Sequence, residues 1–210
     1  MIGQKVLGAV ADALEAEREE LARLDNSCGD GDFGETAAGI AAVLRAVAGT
    51  GATGANLVRE CGDRIMRRVP STGGTLVALG TLAGARVLEG TTLSGLRAVA
   101  RAVAEGTAEI ARRGRAELGG RSMLDALWPA VRSLEMADKE GWGIATALRC
   151  AAAAADEGAR GTAALLPKVG RARWLRERAL GHEDPGARAI AIAFSAAAEA
   201  VGSVTQESGQ

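Results

Sequence analysis

Tyrosine is absent from the 210 residues, phenylalanine occurs twice and tryptophan three times, and these aromatics make up only 2% of the chain. Strands favour aromatic and β-branched residues, whereas this chain favours Ala, Leu, Arg and Glu, which are good helix formers. An all-α protein is therefore expected. The three cysteines, Cys28, Cys61 and Cys150, are far apart with no CxxC spacing, which points to reduced thiols and not to a disulfide framework. There is one histidine, His182. Too few Cys and His ligands lie close together for a structural zinc site. A Ser-His-Asp or Cys-His enzyme would have to use His182, and no GxSxG elbow accompanies it.

Charge of one sign is also missing. Lys+Arg is 25 and Asp+Glu is 26, for a net charge of -1. That removes the footprint of a nucleic-acid binder and of a basic membrane-surface protein. No apolar run is expected to approach the ~18 residues of a membrane span. The N-terminus, MIGQKVLGAVADALEAE, turns acidic after one helical turn and lacks a signal-peptide layout. A cytoplasmic protein of one domain over residues 1–210 is expected, with no nucleic-acid or membrane partner.

Apolar residues recur at helical spacing from Ile2 to about Leu24. The stretch Asp25-Asn26-Ser27-Cys28-Gly29-Asp30-Gly31-Asp32-Phe33-Gly34 then reads as a loop, because its glycines and aspartates disfavour a helix interior. Further helices are expected from about Glu35 to Gly49, Ala55 to Val69, and after Ser71-Thr72-Gly73-Gly74. The last of these is apolar nearly all round, which predicts a central position. The spacing predicts more helices near 93–112, 122–137, 142–157 and 186–202, with an irregular stretch near 160–180. Asp184 and Pro185 form an N-cap and first-turn pair for the final helix. Residues 203–210 read as a frayed tail.

The chemistry concentrates in Asp25-x-x-x-x-Asp30-x-Asp32. Three carboxylates on a glycine-rich loop offer hard oxygen ligands for a divalent cation. The spacing is not that of an EF-hand, since Asp30 stands where the invariant Gly belongs and Thr36 where the bidentate Glu belongs. No GxxxxGK[ST] occurs, so a P-loop is excluded. The neighbouring helix start offers backbone N–H groups to an anion, and carboxylate-held Mg²⁺ keeps positions open for phosphates. The bland alternative is a solvated Asp/Gly turn.

LDNSCGDGDFGET resembles the Dx(4)GDxDxG loop of the dihydroxyacetone kinase L subunit, and of the matching C-terminal domain in ATP-dependent dihydroxyacetone kinases. Three further segments agree in order: Ser71-Thr72-Gly73-Gly74, Arg121-Ser122-Met123-Leu124-Asp125-Ala126-Leu127, and Gly170-Arg171-Ala172 through Gly181-His182-Glu183-Asp184-Pro185-Gly186-Ala187. The resemblance spans nearly the whole chain. It implies an antiparallel barrel of about eight helices with Mg-nucleotide at one end. It implies that Asp25, Asp30 and Asp32 hold two Mg²⁺ ions. Phe33, Gly34, Glu35 and Thr36, with Ser71 and Thr72, are implied to line the phosphates of ATP or ADP. Gly114 and Met123 match positions near base and ribose, and Arg171, Asp184, Pro185 and Gly186 complete the site. Phe33 departs from the family, where His, Cys or Thr is usual. It cannot donate a side-chain hydrogen bond, so only its backbone N–H is expected to contribute. Gly74-Thr75 also replaces the usual Pro/Ala-Leu.

The resemblance further implies a kinase whose ketose, dihydroxyacetone or a similar short sugar, is held by a separate K-type subunit through a histidine link. Either ATP is consumed and exchanged, or a phosphotransferase-system protein rephosphorylates bound ADP. A non-catalytic Mg-nucleotide sensor on the same barrel is the alternative reading, kept open by Phe33.

Overall fold

Nine α-helices and no strand form among the residues described by the computed structural model, 2–89, 94–169 and 176–207. They are α1 (Ile2–Ala16), α2 (Arg18–Cys28), α3 (Phe33–Ala48), α4 (Gly54–Arg68), α5 (Thr72–Glu89), α6 (Gly95–Gly114), α7 (Leu124–Lys139), α8 (Ile144–Gly161) and α9 (Pro185–Glu207). Short 3-10 turns at Thr162–Ala164 and Arg176–Ala179 lie in the connection before α9.

Helices α3 to α9 each pack against the next, α1 packs against α3, and α9 packs back against α1. The result is a closed antiparallel ring. The expected single helix from Ile2 to Leu24 is bent at Glu17, whose backbone sits at φ -94° and ψ 8°. The hydrogen bonds from Glu17 N–H to Ala13 O and from Leu21 N–H to Glu17 O persist across the bend, so α1 and α2 form one bent stave. Counted that way, the barrel has eight staves. Helix α2 continues to Cys28, so Asp25-Asn26-Ser27 is its last turn and not the start of a loop. The Ser27 hydroxyl donates to Leu24 O at 2.6 Å, a local bond that supports that turn.

Small residues set the spacing of the staves. Ala126, Ala130 and Ala137 of α7, Ala147, Ala151 and Ala155 of α8, and Ala187, Ala191 and Ala198 of α9 form one buried cluster. Alanine at helical spacing lets the backbones approach closely at no cost in helix propensity. Helix α5 is not central, contrary to the sequence expectation. It is one stave, and its buried face is mostly Gly and Ala. A Cβ on Gly106 of α6 would lie 2.8 Å from Gly80 O of α5, so these backbones touch. Its leucines are half-buried because they fill the barrel flanks and not a centre. Pro129 lies inside α7 and cannot donate to the Asp125 carbonyl one turn back. Gly158 of α8 rests against that carbonyl, where a Cβ would come within 2.1 Å.

Cys61 and Cys150 are free thiols, and burial pushes the Cys61 thiol up to about 12. The stretch Pro185–Thr205 of α9 has a mean hydropathy of 1.4, long and apolar enough by length and composition to cross a membrane. This corrects the expectation that no such run exists. Here it is a stave between α1 and α8, with Arg188 ion-paired to Asp156 and Glu183. Helix α9 also continues through 203–207, the start of the stretch expected to fray.

Because the staves alternate in direction, the connections at 29–32, 69–71 and 115–123, and the described residues 162–169 and 176–184, all gather at one end of the barrel. Lys168 N–H donates to Gly120 O, and Gly181 N–H to Ala163 O. These bonds tie the longer connections together there.

Candidate functional site

The end of α2 and the start of α3 hold the carboxylates. Carboxylate oxygens of Asp25, Asp30 and Asp32 lie within 4.8 Å of one another, with Asp30 and Asp32 exposed and Asp25 half-buried. Asp25 Oδ2 also accepts the Phe33 N–H at 3.1 Å, satisfying one of the N–H groups that a helix start leaves without a partner. The turn between the two helices requires glycine. A Cβ on Gly29 would sit 2.1 Å from Asp25 Oδ1, and Gly31 adopts φ +79° with Asn26 Oδ1 2.2 Å from its would-be Cβ. Three converging carboxylates are a donor set suited to hard divalent cations such as Mg²⁺, whose open positions take phosphate oxygens.

A cleft of about 170 Å³ opens beside these carboxylates. Its second wall comes from the turn into α5. Ser71 Oγ accepts the Thr36 hydroxyl at 2.9 Å and the Gly74 N–H at 2.9 Å. Both lone pairs are then engaged, so the remaining hydrogen is available as a donor at the cleft wall. Thr72 begins α5 and lines the same wall.

The third wall is built around a buried arginine. Arg121 is 2% exposed and adopts φ +59°, a left-handed conformation uncommon outside glycine. Its Nη2 donates to His182 O at 2.9 Å and to Ala179 O at 3.3 Å. Buried Asp125 shapes the turn around it, accepting Gly119 N–H at 2.5 Å and Ser122 N–H at 2.8 Å. Asp184 Oδ2 accepts Ala187 N–H at 2.9 Å and caps α9, and Asp184 N–H donates to Thr162 Oγ1 at 2.8 Å. Burial pushes the Asp184 carboxyl up to about 6, and the Asp125 charge adds to this. The Ala187 N–H and the Arg121 guanidinium oppose it.

Of the residues singled out from the sequence, Asp25, Asp32, Phe33, Thr36, Ser71, Thr72, Met123, Asp184, Pro185 and Gly186 line the cleft. Asp30 joins through the carboxylate cluster. Gly34, Glu35 and Gly114 do not line it. Gly34 faces α2, with its would-be Cβ 2.7 Å from Arg18 O, and Glu35 is exposed and ion-paired with Arg18. Gly114 ends α6 beside Leu76. Arg171 lies outside the described residues. The expectation that Phe33 offers its backbone N–H to a ligand needs correction, because Asp25 already accepts that group. The Phe33 ring packs on the apolar core and borders both the cleft and an apolar cavity of about 260 Å³ inside the barrel. His182 faces an outer groove with Glu17, Glu20 and Arg188, away from the cleft. Arg121, Ser122 and Asp125 stood in the Arg121–Leu127 segment that carries the resemblance, but no role at the site was expected of them; the structure places Arg121 and Ser122 at the cleft and Asp125 in the first turn of α7 beneath it.

The ring of staves and the site at its end define an all-helical domain of the dihydroxyacetone kinase fold. The whole dihydroxyacetone kinase of C. freundii, solved in complex with AMP-PNP and Mg²⁺, superposes with a TM-score of 0.73 at 29% identity, over 94% of this chain and 33% of that one. Residues 27–199 match the DAK2 domain model, and the chain belongs to the DAK2 domain family. It is 37% identical over 209 residues to the D-erythrulose kinase of Mycolicibacterium smegmatis, covering 96% of this chain and 36% of that protein. It is 32% identical over 185 residues to the ADP-binding subunit DhaL of the PEP-dependent dihydroxyacetone kinase 2 of Listeria innocua, covering 86% of this chain and 85% of that subunit. The chain thus spans about a third of the erythrulose kinase and most of the ADP-binding subunit.

Proposed function

We propose that this chain is the nucleotide-binding part of a dihydroxyacetone-kinase-type phosphotransferase, which passes phosphate from Mg-bound ATP to dihydroxyacetone or a similar short ketose held by a K-type partner. The observation that carries this reading is the convergence of three carboxylates within 4.8 Å at the rim of a polar cleft. Asp25, Asp30 and Asp32 are the residues that would hold two Mg²⁺ ions. Magnesium, when bound, neutralises charge on the phosphates, where positioning and electrostatics supply most of the rate in phosphoryl transfer.

The chain's own residues do the positioning. The hydroxyls of Ser71 and Thr72 bind phosphate oxygens, with Thr36 orienting Ser71 through its own hydroxyl. Met123 flanks the nucleoside, and Asp184, Pro185 and Gly186 close the far wall. By the family resemblance, Arg171 is a further candidate for contact with the nucleotide. The relatives support two assemblies: a subunit beside a separate ketose-binding chain, as the Listeria DhaL name implies, or a domain within a longer kinase. The ultimate donor is either exchanged ATP or a phosphotransferase-system protein acting on bound ADP. A cytoplasmic setting belongs to this reading. The sensor alternative is favoured only by Phe33, whose ring and engaged N–H add no donor to the phosphate wall.

Calorimetric titration of ADP tests the reading. Binding is expected with Mg²⁺, to be lost with EDTA, and to weaken at least ~10-fold, about 1.4 kcal/mol, in Asp30→Ala with unchanged helicity. Binding that survives both EDTA and the substitution overturns it.

A further inference from the structure

The aspartate loop and the Asp184-Pro185-Gly186 turn face each other across the cleft, yet they are built very differently. The aspartate loop is braced by its own backbone and by Asp25. The opposite turn follows a long connection; Ala163 O and Thr162 Oγ1 brace it from within that connection, and among the described residues one side chain from another connection reaches the stretch just before it. That side chain is Arg121, which reaches 58 and 61 residues along the chain to the carbonyls of Ala179 and His182. It is almost wholly buried, borders the cleft, and keeps a left-handed backbone that its surroundings must enforce. Asp125 enforces it from one side by accepting the N–H groups of Gly119 and Ser122. The Lys168 N–H bond to Gly120 O braces the turn from the other side.

We propose that Arg121 is a positioning residue for nucleotide binding: its guanidinium holds the Ala179–Glu183 backbone, and so fixes the Asp184–Gly186 wall at the distance from the aspartate loop that the nucleotide requires. With the Ala187 N–H, its guanidinium also favours the carboxylate form of Asp184. One guanidinium nitrogen, Nη2, donates to both carbonyls, and the rigid planar group fixes its direction, while a lysine ammonium is a point charge on a flexible stem. The effect is specific to the nucleotide. Asp25, Asp30 and Asp32 stand on the α2–α3 turn, away from the Ala179 and His182 carbonyls that Arg121 holds, so a divalent cation alone is expected to bind regardless of this residue. The inference rests on the proposed function, because it concerns the same cleft.

Full-length wild type, Arg121→Lys and Arg121→Gln decide the matter. Mn²⁺ alone is followed by electron paramagnetic resonance, Mg-ADP by calorimetry, and folding by thermal melting. The Gln variant is expected to bind Mg-ADP about 10-fold more weakly and the Lys variant about threefold more weakly, both with wild-type Mn²⁺ affinity. A Gln or Lys variant with wild-type Mg-ADP affinity overturns the proposal, and so does a parallel loss of Mn²⁺ in a variant that melts like wild type. If the Gln variant does not fold, the Lys variant carries the same decision. If wild type takes up Mn²⁺ but no Mg-ADP, the nucleotide reading itself falls and this inference falls with it. If wild type binds and the variants match it, only the role of Arg121 falls.

Discussion

Asp184 is asked to cap a helix, line a cleft and hold a charge in a buried place. Its carboxyl is pushed up to about 6 by that burial, above the 3.8 of an exposed aspartate. The folded state therefore binds a proton more readily than the unfolded one between those values, and this residue's contribution to stability falls as pH rises through that window. Above about pH 6 the charged side chain is a net cost. Asp184→Asn keeps a capping oxygen and removes the charge. Its melting temperature at pH 8 is expected to exceed wild type by the equivalent of about 1–3 kcal/mol, and the gain is expected to vanish near pH 4. Melts from pH 4 to 8 check both the sign and the window. The aspartates of the loop were legible in the sequence because carboxylate spacing on a glycine turn is a local pattern. Arg121 was visible as the first residue of a motif, but its role was not, because its partners lie 58 and 61 residues away.

The elements were legible where periodicity and caps agree. Helices α3, α4 and α9 begin within about two residues of their expected starts, and α9 begins at the predicted Asp184–Pro185 cap. The bend at Glu17 and the reach of α2 to Cys28 were not, since a polar last turn looks like a loop until its tertiary partners are known. The place of α5 was misread for a related reason: an all-round apolar pattern can mark a central helix or a stave with glycine contacts. Those contacts predict that one substitution has opposite signs at two sites. Gly→Ala gains about 1 kcal/mol of helix propensity. At Gly8 of α1 nothing lies within 4 Å of the new Cβ, so Gly8→Ala is expected to stabilise by about 0.5–1 kcal/mol. At Gly106 the Cβ would press on the Gly80 carbonyl at 2.8 Å. Overpacking of about 1–3 kcal/mol or more then outweighs the gain, so Gly106→Ala is expected to destabilise. Urea unfolding of the two variants checks this.

At the scale of the molecule, the proposed phosphoryl transfer needs a ketose site that the barrel does not itself display. The only histidine faces an outer groove with acidic neighbours and does not border the cleft, so the chain offers no histidine there for the ketose link that the family resemblance implies. The isolated protein with Mg-ATP and dihydroxyacetone is expected to yield no ketose phosphate, and a K-type subunit is expected to restore turnover. A coupled assay with and without that subunit checks this, and turnover by the chain alone contradicts it. The ring closes by joining α1 to α9, and these neighbours run in opposite directions, so Ile2 and Glu207 emerge side by side at the end away from the cleft. A second polypeptide can be joined at that seam without any connection crossing the reactive mouth. The same barrel can thus serve as a separate subunit in one relative and as about a third of a longer chain in another.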